Sequence, residues 1–138
     1  MTDNLTFAQT TLSKGNFTLV LYNGKETISS YERGVKPLIS LYDRKEDYSD
    51  FSAADKVVGK AAAYLYVLLG VTEVFAQVIS RPALEVLHRY EIIVTYDEQV
   101  TAIRNRTNSG FCPMESAVMD IADAGEAYMV LKRKLDEI

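Results

Sequence analysis

The stretch Asp55–Gly70, DKVVGKAAAYLYVLLG, decides the fold. After its first residues it is apolar on nearly every side, and a helix with that pattern is normally buried. The pattern therefore predicts one long buried helix along the whole stretch, with Ser52 or Asp55 as its N-cap residue. Its only charged residues, Asp55, Lys56 and Lys60, would lie near the N-terminal end of that helix. Charges at that end predict either an anchor at the surface or the wall of a site.

Composition places the chain among soluble globular proteins. Its 138 residues, of which 48% are hydrophobic and 25% charged, predict a single domain over residues 1–138. The net charge of −4 and the absence of a basic stripe argue against nucleic-acid binding. The chain begins without the pattern of a signal peptide, and its longest apolar run, Ala61–Leu69, is far below the ~20 residues that span a bilayer. We therefore expect a cytoplasmic protein without a membrane partner.

The N-terminal part of the chain predicts a helix followed by a β-hairpin. Apolar residues recur at helical spacing within residues 3–14, and residues 17–22 are rich in strand-forming side chains. Asn23-Gly24 then predicts a two-residue type I′ turn, because both residues tolerate a positive φ. Residues 26–31 continue as a more polar strand, which we expect either at an edge of the sheet or facing water.

The remainder of the chain alternates between helices and strands. Apolar residues dominate 71–79, as in parallel strands that are buried on both faces; they include Val71, Val74, Phe75, Val78 and Ile79. The other predicted elements are a helix near Pro37, a helix after Ser80 with that serine as its N-cap, a strand at 91–96, and helices at about 112–121 and 123–135. This order predicts an α/β three-layer sandwich, with a mixed sheet of four or five strands and helices on both faces.

The predicted site lies where the helices begin. In open α/β sheets, ligands bind at the carboxyl ends of the strands, beside helix N-termini. Three predicted helix starts contain polar residues, and we expect them to form one pocket. These starts are Asp55-Lys56, Ser80-Arg81 and Cys112-Pro113-Met114-Glu115.

The two lysines at the first helix start suggest either an anion site or a catalytic base. Lys56 and Lys60 are four residues apart, so on one helix they would share a face. Gly59, a residue that weakens a helix interior, would allow close approach of the backbone. A buried lysine could act as nucleophile or base. The alternative is an N-cap aspartate followed by lysines that reach solvent.

The third helix start and the loop before it contain the other candidate residues. Cys112 would lie near the positive end of a helix dipole, which favours a reactive thiolate, although free cysteines more often pack as small apolar residues. Glu115 falls where a carboxylate caps backbone donors. Arg106, next to Asn105, could bind a carboxylate or phosphate, or could simply be an exposed loop charge.

Three blocks of sequence resemble a small bacterial family of unknown function. These are DKVVGKAAA at 55–63, Asn105-Arg106, and CPMESAV at 112–118. The resemblance covers nearly the whole chain. The family is grouped by fold with cytidine deaminases, so the resemblance implies a cytidine-deaminase-like fold.

The chain departs from true deaminases at the residues that bind zinc. Those enzymes carry a His- or Cys-x-Glu motif at the start of the buried helix, and Pro-Cys-x-x-Cys at the next crossover helix. Here the two places read DKVV at 55–58 and SRPAL at 80–84. Three Cys or His ligands hold the deaminase zinc, but this chain has one cysteine and one histidine in total. We therefore expect no zinc and no other cofactor.

The sequence leaves several functions open. The first hypothesis is binding of a small polar or anionic ligand, for example a nucleotide-like one, at a zinc-free site. The second is a metal-independent enzyme that uses Cys112 or Lys60 as nucleophile or base. A third is a non-catalytic structural or regulatory subunit, and a homodimer is plausible by analogy of fold. The predicted ligand-binding residues are Asp55, Lys56, Ser80, Asn105, Arg106 and Glu115.

Overall fold

The structure, a computed structural model, describes residues 2–104 and 112–137. In chain order its elements are α1 (Asp3–Gly15), β1 (Leu19–Tyr22), β2 (Thr27–Ser30), α2 (Lys36–Asp43), β3 (Ser52–Val58), α3 (Lys60–Leu69), β4 (Glu73–Ser80), α4 (Arg81–Arg89), β5 (Ile93–Val100), α5 (Pro113–Val118) and α6 (Ala124–Glu137).

The strands form one mixed five-stranded sheet in the order β2-β1-β3-β4-β5. Strand β1 pairs antiparallel with both β2 and β3, whereas β3, β4 and β5 are parallel. Helices α3 and α4 are the crossovers that join the parallel strands. Both the mixed character of the sheet and the edge position of the polar strand β2 confirm the predictions.

Helices cover both faces of this sheet. Helix α1 packs on one face, against Val20, Ala54 and Phe75. The next residues along the same strands point to the other face, where Leu21 and Ala53 join the larger core beneath the remaining helices. This alternation follows from the period of two in a strand, because neighbouring side chains point to opposite faces.

The stretch Asp55–Gly70 is a strand followed by a helix, so the prediction of one long helix is wrong for its first residues. Strand β3 ends at Val58, and α3 begins at Lys60 with Gly59 as its N-cap. Neither Ser52 nor Asp55 caps the helix. Residues 52–58 fill the centre of the sheet between β1 and β4, and those two ladders outweigh the helical preference of the alanines. The apolar part of the stretch, from Ala61 onward, is the buried helix that its composition predicts.

The hairpin is confirmed, but its turn differs from the prediction. Tyr22 pairs with Thr27, so the connection has four residues, 23–26, rather than two. Only Gly24 of the predicted turn pair has a positive φ, at 97°. The side-chain oxygen of Asn23 instead accepts hydrogen bonds from the backbone N–H groups of Lys25 and Glu26. An asparagine that caps its own turn in this way does not need the left-handed conformation.

The last strand has different bounds from those that the sequence predicts. Strand β5 runs from Ile93 to Val100 rather than over 91–96. Within residues 2–104 and 112–137, no helix combines the length and apolar character needed to cross a bilayer.

Candidate functional site

Two helices begin at the carboxyl edge of the parallel strands, as the sequence predicts. Helix α3 follows β3 after one residue, and α4 follows β4 directly. The fully buried hydroxyl of Ser80 accepts a hydrogen bond from the backbone N–H of Ala83 at 3.2 Å. Ser80 is therefore the N-cap of α4, and this bond uses the oxygen that we predicted to contact a ligand.

The N-terminus of α3 is occupied by a carboxylate from α5. The two carboxylate oxygens of Glu115 accept hydrogen bonds from the backbone N–H groups of Lys60, at 2.7 Å, and Ala61, at 2.8 Å. Gly59 packs so closely against this carboxylate that a Cβ there would lie 2.4 Å from it. Glu115 thus caps a different helix from the one that contains it. The glycine is explained by this contact rather than by a place inside a helix.

The environment of Glu115 balances burial against favourable donors. Burial raises the pKa of the Glu115 carboxyl, whereas the N–H groups of Ala61 and Lys60 and the charge of Lys60 lower it. A carboxylate at this position also meets the positive end of the α3 dipole. The protein's own side chain therefore fills the place where we predicted that an anionic ligand would meet this helix.

A cavity of about 270 Å³ opens beside this cap, between α3, α4 and the turn that follows α5. Lys60 and Arg89 bring positive charge to its wall, and Glu85 and Asp120 bring negative charge. Its lining residues are Lys60, Tyr64, Pro82, Glu85, Val86, Arg89, Met119, Asp120, Ile121 and Ala122. Both cations lie near the ring of Tyr64, at 5.8 Å for Lys60 Nζ and 6.0 Å for Arg89 Cζ from the ring centroid.

Three side chains of this cavity bind backbone carbonyls of the turn at residues 119–122. Lys60 Nζ donates to the carbonyl of Met119 at 2.8 Å, and the Tyr64 hydroxyl donates to that of Ile121 at 2.6 Å. Arg89 Nη2 donates both to the Tyr64 hydroxyl, at 3.3 Å, and to the carbonyl of Ala122, at 3.0 Å. The bond to Tyr64 raises the pKa of Arg89.

Asp55 lies beneath α3 rather than at its start. Its carboxylate accepts a hydrogen bond from the hydroxyl of the fully buried Tyr66 at 2.6 Å, and one from the backbone N–H of Val57 at 3.2 Å. Burial raises the pKa of Asp55 to about 7, and these hydrogen bonds lower it only in part. The structure therefore places Asp55, which is half-buried, beneath α3 and away from the cavity.

Lys56 and Lys60 do not share a helix face, so that prediction is wrong. Lys56 is on β3, and its Nζ contacts the side-chain oxygen of Asn16 at 3.2 Å. Asn16 is the C-cap residue of α1, on the opposite face of the sheet from α3. The two lysines are separated because Lys56 belongs to the strand and Lys60 to the helix.

The remaining predicted residues are Cys112, Asn105 and Arg106. Cys112 is the N-cap residue of α5, is half-buried, and packs against the main core. It is not part of the cavity wall. Asn105 and Arg106 lie outside the described residues. Across the described residues, no group of three or more His, Cys, Asp or Glu side chains could hold a metal ion.

The sequence pattern does not predict Tyr64 and Arg89 as site residues, although they line the cavity together with Lys60 and bind the turn at 119–122. One signal was available, because Tyr64 follows Lys60 by four residues and so shares its face of α3. Arg89 is in the last turn of α4, where a basic residue is most simply explained by the helix dipole. Only the packing of α4 beside α3 shows that it faces the same cavity.

Comparison with known proteins identifies the family of the chain. The family model described as "TM1506: Domain of unknown function (DUF1893)" matches residues 7–135. The chain belongs to the DUF1893 family. This match confirms the predicted membership of a family of unknown function. None of the curated proteins matches the chain significantly.

A solved structure supports the fold of this DUF1893 protein. The crystal structure of a DUF1893 family protein (TM1506) from Thermotoga maritima, at 2.70 Å resolution, is similar with a TM-score of 0.87 and 28% sequence identity. The match covers 100% of this chain and 92% of the other. The two chains therefore share one architecture over the region that the match covers.

Proposed function

We propose that this DUF1893 protein binds a small anionic ligand, such as a phosphate- or carboxylate-bearing metabolite, in the cavity between α3, α4 and residues 119–122. The scaffold that we propose is of the cytidine-deaminase type without its zinc, in a bacterial protein. One observation carries the proposal: Lys60 and Arg89 converge on this cavity from two helices, and both lie near the ring of Tyr64.

Both cations retain donors that a ligand could use. An ammonium group has three donors, and the bond of Lys60 Nζ to Met119 uses one of them. A guanidinium has five, and both bonds of Arg89 come from Nη2. Charge-assisted hydrogen bonds from such groups to phosphate or carboxylate are about twice as strong as neutral ones. These donors favour an anionic group over a neutral one.

The dimensions of the cavity favour a small ligand. Its volume of about 270 Å³ is just below the range of roughly 300–1,000 Å³ that is typical of ligand pockets. A phosphate ion, a dicarboxylic acid or the phosphate end of a nucleotide would fit better than a large cofactor. One end of the cavity, at Lys60 and Pro82, lies beside the N-termini of α3 and α4 at the carboxyl edge of the sheet, which is the usual place of ligands in α/β folds.

The other hypotheses have less support. Cys112 is not in the cavity wall, and Lys60 Nζ already binds a carbonyl, so no contact favours either as a nucleophile. Catalysis, a homodimer and the absence of nucleic-acid and membrane partners stay predictions. A purely structural role is the outcome that remains if no ligand binds.

The proposal is tested by ligand titrations on the full chain. Inorganic phosphate, a nucleoside 5′-monophosphate and a dicarboxylic acid are titrated by thermal shift and by protein-observed NMR. We expect at least one to stabilise the protein. Lys60→Gln or Arg89→Gln should weaken the affinity for that compound about tenfold or more, because each substitution removes a charge-assisted hydrogen bond of about 1.5–3 kcal/mol.

Lys14→Gln is the matched control, since Lys14 is an exposed lysine in the last turn of α1. Binding that all three variants weaken equally would show a nonspecific effect of charge. Absence of stabilisation by all three compounds would overturn the proposal and favour the structural role.

A further inference from the structure

The turn at residues 119–122, here called the flap, closes one side of the cavity. It is anchored at both ends, because Val118 before it is fully buried and Ala124 after it is only 5% exposed. Between these anchors Met119 is 53% exposed, and Asp120 and Ala122 are exposed as well. The flap is therefore a mostly exposed segment between two buried anchors.

Polar contacts of the flap with α3 and α4 run through three of its backbone carbonyls. The carbonyl of Met119 accepts from Lys60, that of Ile121 from Tyr64, and that of Ala122 from Arg89. Its backbone donors bond to the last turn of α5 instead: the N–H of Met119 donates to the carbonyl of Ser116, and that of Ile121 to the carbonyl of Val118. Closure of the flap thus depends on three side chains.

Those three side chains also line the ligand cavity. Tyr64 connects them, because its hydroxyl donates to the flap and accepts from Arg89. Two events that depend on the same groups are linked energetically, and the linkage is reciprocal. An anion that takes the remaining donors of Lys60 and Arg89 would hold both cations in place, while their bonds to the flap persist.

We propose that residues 119–122 are a flap that closes over the bound anion, and that Tyr64 is the positioning residue that couples closure to binding. The coupling rests on the proposed function, whereas the flap itself does not. A bound anion should therefore stabilise the closed flap. Loosening the flap should in turn weaken binding of the anion, even though both cations remain.

The first arm of the test needs no ligand and uses Tyr64→Phe, which removes the hydroxyl but keeps the ring. Amide hydrogen exchange by NMR should accelerate about 2- to 10-fold at Met119 and Ile121, as expected for one lost hydrogen bond. Exchange at Ser116 in α5 and Ala127 in α6 should not change. Tyr42→Phe is the control, because Tyr42 packs against Tyr128 on α6 and is not part of the cavity wall. Equal acceleration of exchange at all four amides, or at none of them, would overturn the proposal that residues 119–122 form a flap.

The second arm uses inorganic phosphate as the probe. Phosphate should slow exchange at Met119 and Ile121 in the wild type, and Tyr64→Phe should weaken phosphate binding about 2- to 10-fold. If phosphate stabilises the protein but leaves exchange at the flap unchanged, the coupling is wrong while the proposed function stands. If phosphate does not bind, the coupling to this anion is wrong and the proposed function loses its simplest ligand. The first arm still decides whether the flap exists.

Discussion

Two half-buried carboxyl groups, those of Asp55 and Glu115, lie in different electrostatic environments. Asp55 lies on β3 beneath α3, and the hydroxyl of Tyr66 is its main donor. Glu115 lies at the N-terminus of α3, where two backbone N–H groups bind its two oxygens. Burial raises the pKa of both carboxyls, and for Asp55 it does so to about 7.

The difference between them is explained by the direction of α3. At the helix N-terminus, the N–H groups lack partners within the helix and carry partial positive charge, so a carboxylate there satisfies donors that need one. Beneath the helix, Asp55 meets no such end. Among the described residues, neither carboxylate forms a salt bridge. We infer that Glu115 is a structural cap and that Asp55 makes the protein sensitive to pH.

The largest expected effect is the pH dependence that Asp55 causes. Its pKa of about 7 in the folded protein exceeds the ordinary value of 3.8, so the folded state retains a proton that the unfolded state has lost. The stability due to this proton is fully present below about pH 4 and is lost as the pH rises to about 7. The loss amounts to at most about 4 kcal/mol.

Asp55→Asn should remove this dependence, because asparagine does not titrate. The free energy of unfolding of the wild type and the variant is measured with urea between pH 4 and 7.5. The contribution of Asp55 is the difference between the two proteins in how steeply this free energy changes with pH. Asp97→Asn is the control, since Asp97 is an exposed aspartate on β5. Parallel pH profiles for the wild type and Asp55→Asn would show that Asp55 is ionised throughout, like an exposed group.

The second effect tests the close packing around Glu115. Gly59→Ala would place a Cβ 2.4 Å from the Glu115 carboxylate, so the cap must leave the helix end or the backbone must shift. We expect a loss of about 3 kcal/mol in the free energy of unfolding, measured with urea.

Gly125→Ala is the control for this substitution, because the nearest atom to its new Cβ is a side-chain oxygen of Asp123 at 3.3 Å. It should change stability by no more than about 1 kcal/mol. In a Glu115→Ala background the clash is absent, and Gly59→Ala should then cost less than about 1 kcal/mol. An unchanged cost in that background would mean that Gly59 is required for a reason other than Glu115.

The smallest expected effect is the loss of one of the two acceptor oxygens of the Glu115 cap. Glu115→Gln keeps the shape but replaces one acceptor by a donor, which leaves the N–H of Lys60 or Ala61 without a partner. We expect a loss of about 2 kcal/mol at neutral pH, since a buried unsatisfied donor costs about 1–3 kcal/mol. Glu126→Gln, at an exposed position in the first turn of α6, is the matched substitution. Equal losses for the two variants would show that the cap contributes little.

Much of the fold follows from local patterns in the chain. Helical spacing predicts α1, α2, α4 and α6, and the apolar run predicts the parallel strand β4. Ser80 followed by Pro82 predicts the start of α4, because a serine cap and a proline in the first turn are chemical signals that act within a few residues. These elements depend on interactions between near neighbours, which a sequence displays directly.

The site was predicted less completely than the fold. The start of α3, Lys60 and Glu115 are close together as expected, but the carboxylate belongs to the protein's own cap. Tyr64 and Arg89 were missed because each has a simpler local explanation, as a core residue and as a helix-end cation. Their shared cavity exists only because α4 packs beside α3.

The sequence by itself determined the buried helix from Ala61 to Leu69, the hairpin and the alternation of strands and helices, because periodicity and turn chemistry are local properties. Only the tertiary structure decided that residues 52–58 are the central strand rather than the first turns of that helix. It also decided that Gly59 makes room for a carboxylate 56 positions further along the chain. Ladders and close contacts of this kind join distant segments, and no window of sequence contains both partners.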